Sequence, residues 1–226
     1  MKVSIITLFP EMFEGVFAHS MLFKAQDKGI LEVDLVSLRD YGLGDRKTVD
    51  DQPYGGGDGM LLKPEPLFAA VEAQKEKSPN AKVLLMTPRG DMFNQMIAQS
   101  YADAEQDLII ICGRYEGYDE RITELVDQQL SVGKYVLTGG EIAAMLITDA
   151  VTRLIPGVLG GETSAEIESH SGDDMDKVEF PQYTRPEEFR GLKVPGVLLS
   201  GNHAEIEKWR QTQSDERSKQ IKHTGA

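Results

Sequence analysis

Short β-branched runs and segments of helical period alternate along the chain from its first residues to about Pro156. The runs "VSIITLF", "LEVDLVSL", "AKVLLMT" and "DLIIICG" read as strands. Between them, Glu11 to Lys28, Pro64 to Lys77 and Asn94 to Ala104 carry apolar residues at helical spacing. A further strand pair around "QQLSVGKYVL" leads into a helix over "EIAAMLITDAVTRLIP". Such alternation predicts an α/β unit: an open parallel sheet with helices on its faces.

The pattern stops at Gly157. From there to about Gln182 the chain is rich in glycine, serine and acids without apolar periodicity, the composition of a mobile linker. A last helix is signalled after it, with Asn202 as cap, Glu205 three residues on as its capping-box partner, and Ile206 and Trp209 sharing a face. The expected organisation is therefore a large domain over 1–160, a flexible acidic linker over 161–180 and a small, mostly helical domain over 181–226.

At 226 residues, 40% hydrophobic and 27% charged, the chain can bury a substantial core. Its longest apolar stretches, such as Leu108 to Cys112, are far shorter than the roughly 20 residues of a membrane helix. Pro10 and Glu11 cut the first apolar run below the length of a secretory core, so the start reads as a strand. The lone Cys112 sits inside a strand pattern and is expected to pack rather than react. No membrane association and a cytoplasmic location are the resulting expectations.

The net charge of −13 argues against broad nucleic-acid affinity, which arises mainly from lysine and arginine displacing counterions. Charge is uneven, however: Gly161 to Glu179 has seven acids against Lys177, whereas Lys208 to Lys222 has five bases against two acids. An RNA partner would have to meet that basic tail.

Glycine marks the candidate chemistry. "QPYGGGDGM" places four glycines, Gly55, Gly56, Gly57 and Gly59, in five positions of a long loop between Tyr41 and Leu61. It lacks the Gly-Lys-Ser/Thr of a P-loop and does not follow a strand as a dinucleotide motif does. Two readings stay open on spacing alone: glycines that supply positive φ in a turn, or a backbone that approaches a ligand closely. Glycine also recurs at strand ends in "TPRG", "CGRYEGYDER" and "VGKYVLTGGE", where parallel sheets bind their ligands.

Five longer stretches, "GRYEGYDER", "SVGKYVLTGGE", "RLIPGVLG", "YTRPEEFRG" and "VPGVLLSGNHAEIEKWR", together resemble the bacterial tRNA (guanine-N1)-methyltransferase family, TrmD. "ITLFPEMF" and "DQPYGGGDGM" fit as well, and the likeness runs from the first strand to the last helix. The resemblance implies a trefoil-knotted parallel sheet of the SPOUT type. It further implies a homodimer with its active site at the subunit interface, S-adenosyl-L-methionine as methyl donor, and tRNA as substrate, methylated at N1 of guanine 37. Periodicity alone would stop at an open sheet, because knots are almost absent from proteins.

Residue by residue, the resemblance implies a donor site made of Leu85, Met86, Thr87 and Pro88 in one loop, Gly113, Tyr115 and Glu116 in a second, and Val132, Gly133, Tyr135, Leu137, Gly139 and Gly140 in a third. Leu85 stands where the family has tyrosine, Thr87 where it has serine, and Ala143 where it has proline. On the tRNA side it implies the four loop glycines together with Glu179, Arg185, Asn202 and His203, and it favours an anticodon-stem contact for Lys208, Arg210, Arg217, Lys219 and Lys222.

Guanine N1 carries a proton, and its removal pushes negative charge onto O6, so a base and an oxyanion partner are both needed. The resemblance implies Arg153 as the O6 partner. It implies a base at Glu168, where the family has aspartate; His170, which replaces a phenylalanine, and Asp174, beside Asp173 and Asp176, are the alternatives. Magnesium is associated with the family, but no ligand cluster in the sequence marks a metal site. Two other functions remain in view: a knotted-fold methyltransferase for another RNA position, and a non-catalytic RNA-binding dimer.

Overall fold

The computed structural model describes residues 1–160, 168–171 and 176–224, with side chains through residue 220. Two compact units meet at the chain position Gly160–Gly161, one covering Met1–Gly160 and the other Gly161–Ala226.

In the first unit, β1 (Lys2–Thr7) is followed by α1 (Glu14–Phe17), α2 (Ser20–Asp27) and β2 (Glu32–Ser37). A small pair, β3 (Asp50–Asp51) and β4 (Leu61–Leu62), precedes α3 (Pro64–Lys77). Then come β5 (Lys82–Met92), α4 (Gln95–Asp103), β6 (Leu108–Cys112), β7 (Gln128–Ser131) and α5 (Glu141–Thr152). Five strands form one sheet in the order β2-β1-β6-β5-β7, every neighbour parallel.

The central strand β6 is buried at all five positions, as expected for a parallel strand covered on both faces. Alternation then sorts the sheet's side chains. Leu84, Met86, Ile110 and Cys112 pack with α2, α4 and α5, while Val83, Leu85, Ile109 and Ile111 pack on the other face with Leu67, Ala70 and Val71 of α3. Each such side chain contributes about 1.5–3 kcal/mol on burial. β3 and β4 pair antiparallel, so the long loop is in fact a hairpin with the glycines at its tip.

Three sequence expectations change. The single helix over Glu11 to Lys28 is instead a 3-10 turn, Pro10–Phe13, followed by α1 and α2. Phe13 and Phe17 are buried four apart, but the next buried residue, Leu22, is five further on. A continuous helix would rotate Leu22 off the core face, and the break at Ala18–Ser20 restores it. The strand pair around Gln128 to Leu137 yields only β7, and residues 132–140 are a loop. Tyr135 and Val136 are exposed there, so the apparent alternation has no core to face. Finally, the capping box of the last helix is half formed: Glu205 N–H donates to Asn202 Oδ1 at 3.4 Å, but the Asn202 N–H is taken by Ser200 Oγ at 3.1 Å rather than by the Glu205 side chain.

The second unit has a short antiparallel pair, β8 (Glu188–Phe189) and β9 (Leu192–Lys193), then α6 (Gly196–Leu199) and the long α7 (His203–Thr224). Two serines one turn apart on α7 fasten the residue that passes beside them. Ser214 Oγ donates to Val178 O at 2.5 Å, and Val178 N–H donates to Ser218 Oγ at 3.0 Å. Tyr183 lies against Trp209 at 6.4 Å between ring centroids, and the Arg210 guanidinium sits 4.8 Å over the Phe180 ring.

Candidate active site

The irregular middle of β5 and the segments that leave the carboxyl ends of β6 and β7 enclose a cleft of about 770 Å³. Parallel sheets present unpaired backbone groups at that edge, so the position is the one expected for a ligand. Met86 to Arg89 line it from β5, Gly113 to Glu120 from β6, and Leu130 to Val132 with the loop to Gly140 from β7. Pro53, Tyr54 and Leu61 of the β3–β4 hairpin complete the rim.

Local geometry explains why these segments hold their shape. The β5–β7 register breaks between Met86 and Asp91, turning Thr87 to Gly90 out of the ladder. The segment after β6 is stitched to the hairpin: Glu116 N–H donates to Met60 O at 3.0 Å, Leu62 N–H to Gly117 O at 3.0 Å, and Asp119 N–H to Leu62 O at 2.9 Å. At the floor, Gly140 N–H donates to Gly113 O at 2.9 Å. A Cβ on Gly140 would lie 2.7 Å from Cys112 Cα and 3.0 Å from both Gly113 N and Met86 Cβ, so no larger residue fits without moving backbone.

Beneath the cleft lies an ion pair. Glu141, at the start of α5, is 1% exposed and receives Arg114 Nε at 2.9 and 3.1 Å and Thr7 Oγ1 at 2.9 Å. Arg114 also donates to Thr138 O at 3.3 Å and its guanidinium lies 4.6 Å over the Phe9 ring. A buried carboxylate requires such partners, and the amino end of a helix favours its charge. The network ties the ends of β1 and β6 to the start of α5. Sequence reasoning missed Thr7, Arg114 and Glu141; the acid at the head of an apolar helix was visible, but its partner 27 residues away was not.

Titration follows from the same packing. Burial pushes the Cys112 thiol well up, with Glu141 adding to the effect and Arg114 opposing it. Asp119 is held below the ordinary carboxylate range chiefly by Arg121, whose Nε and Nη2 reach it at 2.7 and 2.8 Å. Arg89 is held more firmly in its charged form by the Tyr118 hydroxyl and then by Glu120, each at 3.1 Å.

The expected donor residues separate cleanly. Met86, Thr87, Pro88, Gly113, Tyr115, Glu116, Val132, Gly133, Tyr135, Leu137, Gly139 and Gly140 all border the cleft. Leu85 does not: its side chain is fully buried on the opposite face, among α3 residues. The hairpin glycines Gly55, Gly56, Gly57 and Gly59 are at the tip, where all four have positive φ, and their neighbours Pro53, Tyr54 and Leu61 provide the lining. Gly59 stands against Glu116, whose Cγ a Cβ would meet at 2.5 Å.

The remaining candidates are placed as follows. Arg153 caps α5, its N–H donating to Asp149 O at 3.1 Å. In the second unit, Glu168 O accepts from Ser171 Oγ at 2.6 Å, and His170, at φ +65°, donates its N–H to Lys177 O at 2.8 Å. Glu179 N–H donates to Ser169 Oγ at 3.1 Å, and its carboxylate accepts from Gln182 at 3.2 Å. Arg185 is exposed, Asn202 caps α7 and His203 begins it. Lys208, Arg210, Arg217 and Lys219 lie on α7, while Asp173, Asp174 and the Lys222 side chain fall outside the described residues. No group of three or more His, Cys, Asp or Glu that could hold a metal occurs among the described residues, and no helix there is long and apolar enough to cross a membrane.

Comparison with known proteins adds a different kind of finding. The model of the family described as "tRNA (Guanine-1)-methyltransferase TrmD" matches residues 1–224. A tRNA (guanine-N(1)-)-methyltransferase of Citrifermentans bemidjiense is 55% identical over 96% of this chain and 86% of its own. Proteins of the same name from Staphylococcus carnosus and Geobacter sulfurreducens are 56% and 52% identical, over 94% and 98% of this chain and 85% and 89% of theirs.

Proposed function

The chain belongs to the tRNA (guanine-1)-methyltransferase TrmD family, and from that premise we propose that it transfers a methyl group from S-adenosyl-L-methionine to N1 of guanine 37 of tRNA, on the 3′ side of the anticodon. The observation that carries the reading is the cleft between the irregular middle of β5 and the carboxyl ends of β6 and β7, whose floor Gly140 keeps open.

An adenosyl donor suits this lining. Val132, Leu137 and Ala143 offer apolar contact to a flat base, and the turns at Thr87, Gly113 and Gly139 offer backbone donors and acceptors. The carboxylate of Glu116 suits the donor's positive charge. When bound, the donor supplies a methyl group already activated by its sulfonium. The protein's own task is alignment and proton management. Glu168 removes the N1 proton of guanine, and Arg153, permanently charged and rich in donors, stabilises the electron density that moves to O6. Glutamate at the base position keeps the carboxylate, and its extra methylene is accommodated by the acidic segment that carries it.

The finer architecture belongs to the same proposal. A trefoil knot is supported by the path of residues 132–140, which return from the edge strand β7 across the ends of β5 and β6, bond to Gly113, and deliver α5 against β1 and β6. A homodimer with its active site at the subunit interface is supported by Ile142 and Leu146, one turn apart on α5 and 54% and 42% exposed. Residues 161–180 act as the linker and 181–226 as the tRNA-binding domain, with the lysines and arginines of α7 meeting phosphate. The enzyme works in the cytoplasm, where its substrate is.

The test is single-turnover methylation of an unmodified tRNA transcript bearing guanines 36 and 37. Glu168→Gln is expected to lower the rate by at least about a hundredfold while S-adenosylhomocysteine still binds. Near-normal turnover would move the base to His170 or Asp174, and methylation persisting on a transcript without guanine 37 would overturn the assigned position.

A further inference from the structure

We infer that Tyr54 is the side chain against which the target guanine stacks when it enters the cleft. The inference rests on the proposed methylation of a tRNA guanine, and it assigns to that reaction a substrate-binding residue from the hairpin rather than from the sheet.

Tyr54 is 102% exposed, the most exposed of the large hydrophobic side chains among the described residues, yet it borders the cleft. A tyrosine ring left in water forgoes the burial that makes aromatic residues stabilising, so the protein's own packing does not explain its position. Its hydroxyl makes no hydrogen bond among the described residues. Of the other tyrosines at the cleft, Tyr118 receives Arg89 at 3.1 Å, Tyr135 folds over Gly133 and donates to Val132 O at 3.1 Å, and Tyr115 is 47% exposed, less than half as open as Tyr54. Among the cleft tyrosines, Tyr54 leaves the most ring surface open to a ligand.

Its mounting fits the role. The base of the hairpin is fixed, through the β3–β4 pairing and the Gly117–Leu62–Asp119 bonds. Its tip is closed by one turn, Gly56 N–H to Pro53 O at 3.3 Å, and four of the five residues from Gly55 to Gly59 are glycine. The ring is thus carried at a defined rim but on a support that can adjust to a planar ligand. A base taken out of an RNA stack loses several kcal/mol of stacking, which an enzyme must replace by a flat apolar surface. Tyrosine supplies one to any base. The donor's adenine is the competing occupant, and it lies better beside the loop after β7 and the start of α5, on which Val132, Leu137 and Ala143 stand.

The experiment compares wild type, Tyr54→Ala, Tyr54→Phe and Tyr54→Trp with the guanine 36–guanine 37 transcript, and measures S-adenosylhomocysteine binding by calorimetry. Stacking predicts that Tyr54→Ala lowers kcat/KM by about 10- to 100-fold, mainly through KM, leaves donor-analogue affinity unchanged, and is rescued by either aromatic variant. A transcript with 2-aminopurine at position 37 should be quenched by wild type and not by Tyr54→Ala. Normal kcat/KM for Tyr54→Ala, or an equal loss of S-adenosylhomocysteine affinity, would overturn the inference while leaving the methyltransferase reading intact. A wild-type protein that does not methylate the transcript would overturn that reading first.

Discussion

Two glycines of the cleft, Gly140 in its floor and Gly56 at its rim, are required for opposite reasons. Gly140 has an ordinary φ of −81° but no room, with Cys112 Cα 2.7 Å from where a Cβ would stand. Gly56 has room, with nothing within 4 Å, but a φ of +79° that a side chain resists. One position is excluded by its neighbours, the other by its own backbone. The contrast divides the cleft into an inflexible wall, against which a donor can be held in register, and a compliant edge that faces the larger substrate.

The largest effect should come from the wall. Gly140→Ala forces backbone apart, and is expected to cost about 1–3 kcal/mol of stability. It should also lower S-adenosylhomocysteine affinity measurably, since the backbone it displaces lines the cleft. Denaturant unfolding and calorimetry measure the two, and unchanged donor affinity would mean that the floor is not a wall at all.

At the rim, Gly56→Ala should cost about 1 kcal/mol, the penalty of holding an L-residue at positive φ. Donor affinity should stay as in wild type while tRNA turnover falls. A matching loss of donor affinity would erase the distinction between the two regions.

The smallest effect concerns the segment that joins them. Asp119 is charged in the folded protein to lower pH than in the unfolded chain, so its pairing with Arg121 adds stability above the unfolded value of about 3.9 and loses it as pH falls through the lower folded value. Asp119→Asn should therefore be slightly less stable than wild type at pH 7 and converge with it as pH falls below the folded value. A gap that persists in acid would assign the contribution to packing instead of charge.

Much of this organisation was legible in advance because it is local. Pro64 to Lys77 folds as the helix its spacing predicts, since proline opens it and its apolar stripe meets one sheet face. The break between α1 and α2 was written in the five-residue step from Phe17 to Leu22, but reading it requires knowing which face is buried. Residues 132–140 alternate like a strand, yet a strand needs a neighbour as well as a pattern. The resemblance implies Leu85 for the donor site through its backbone, and the two-residue period of β5, with Leu84 and Met86 facing one way, turns its side chain to the other. Arg114 and Glu141 meet only after the sheet has formed, so no short-range signal could join them.

Cys112 gives this arrangement an internal witness. Its thiol is sealed below Gly140 and Gly113 and held protonated by burial, so an alkylating reagent has neither access nor a thiolate to attack while the floor is intact. Label uptake by that single thiol therefore counts how often the floor opens, and a tightly held donor would slow the clock.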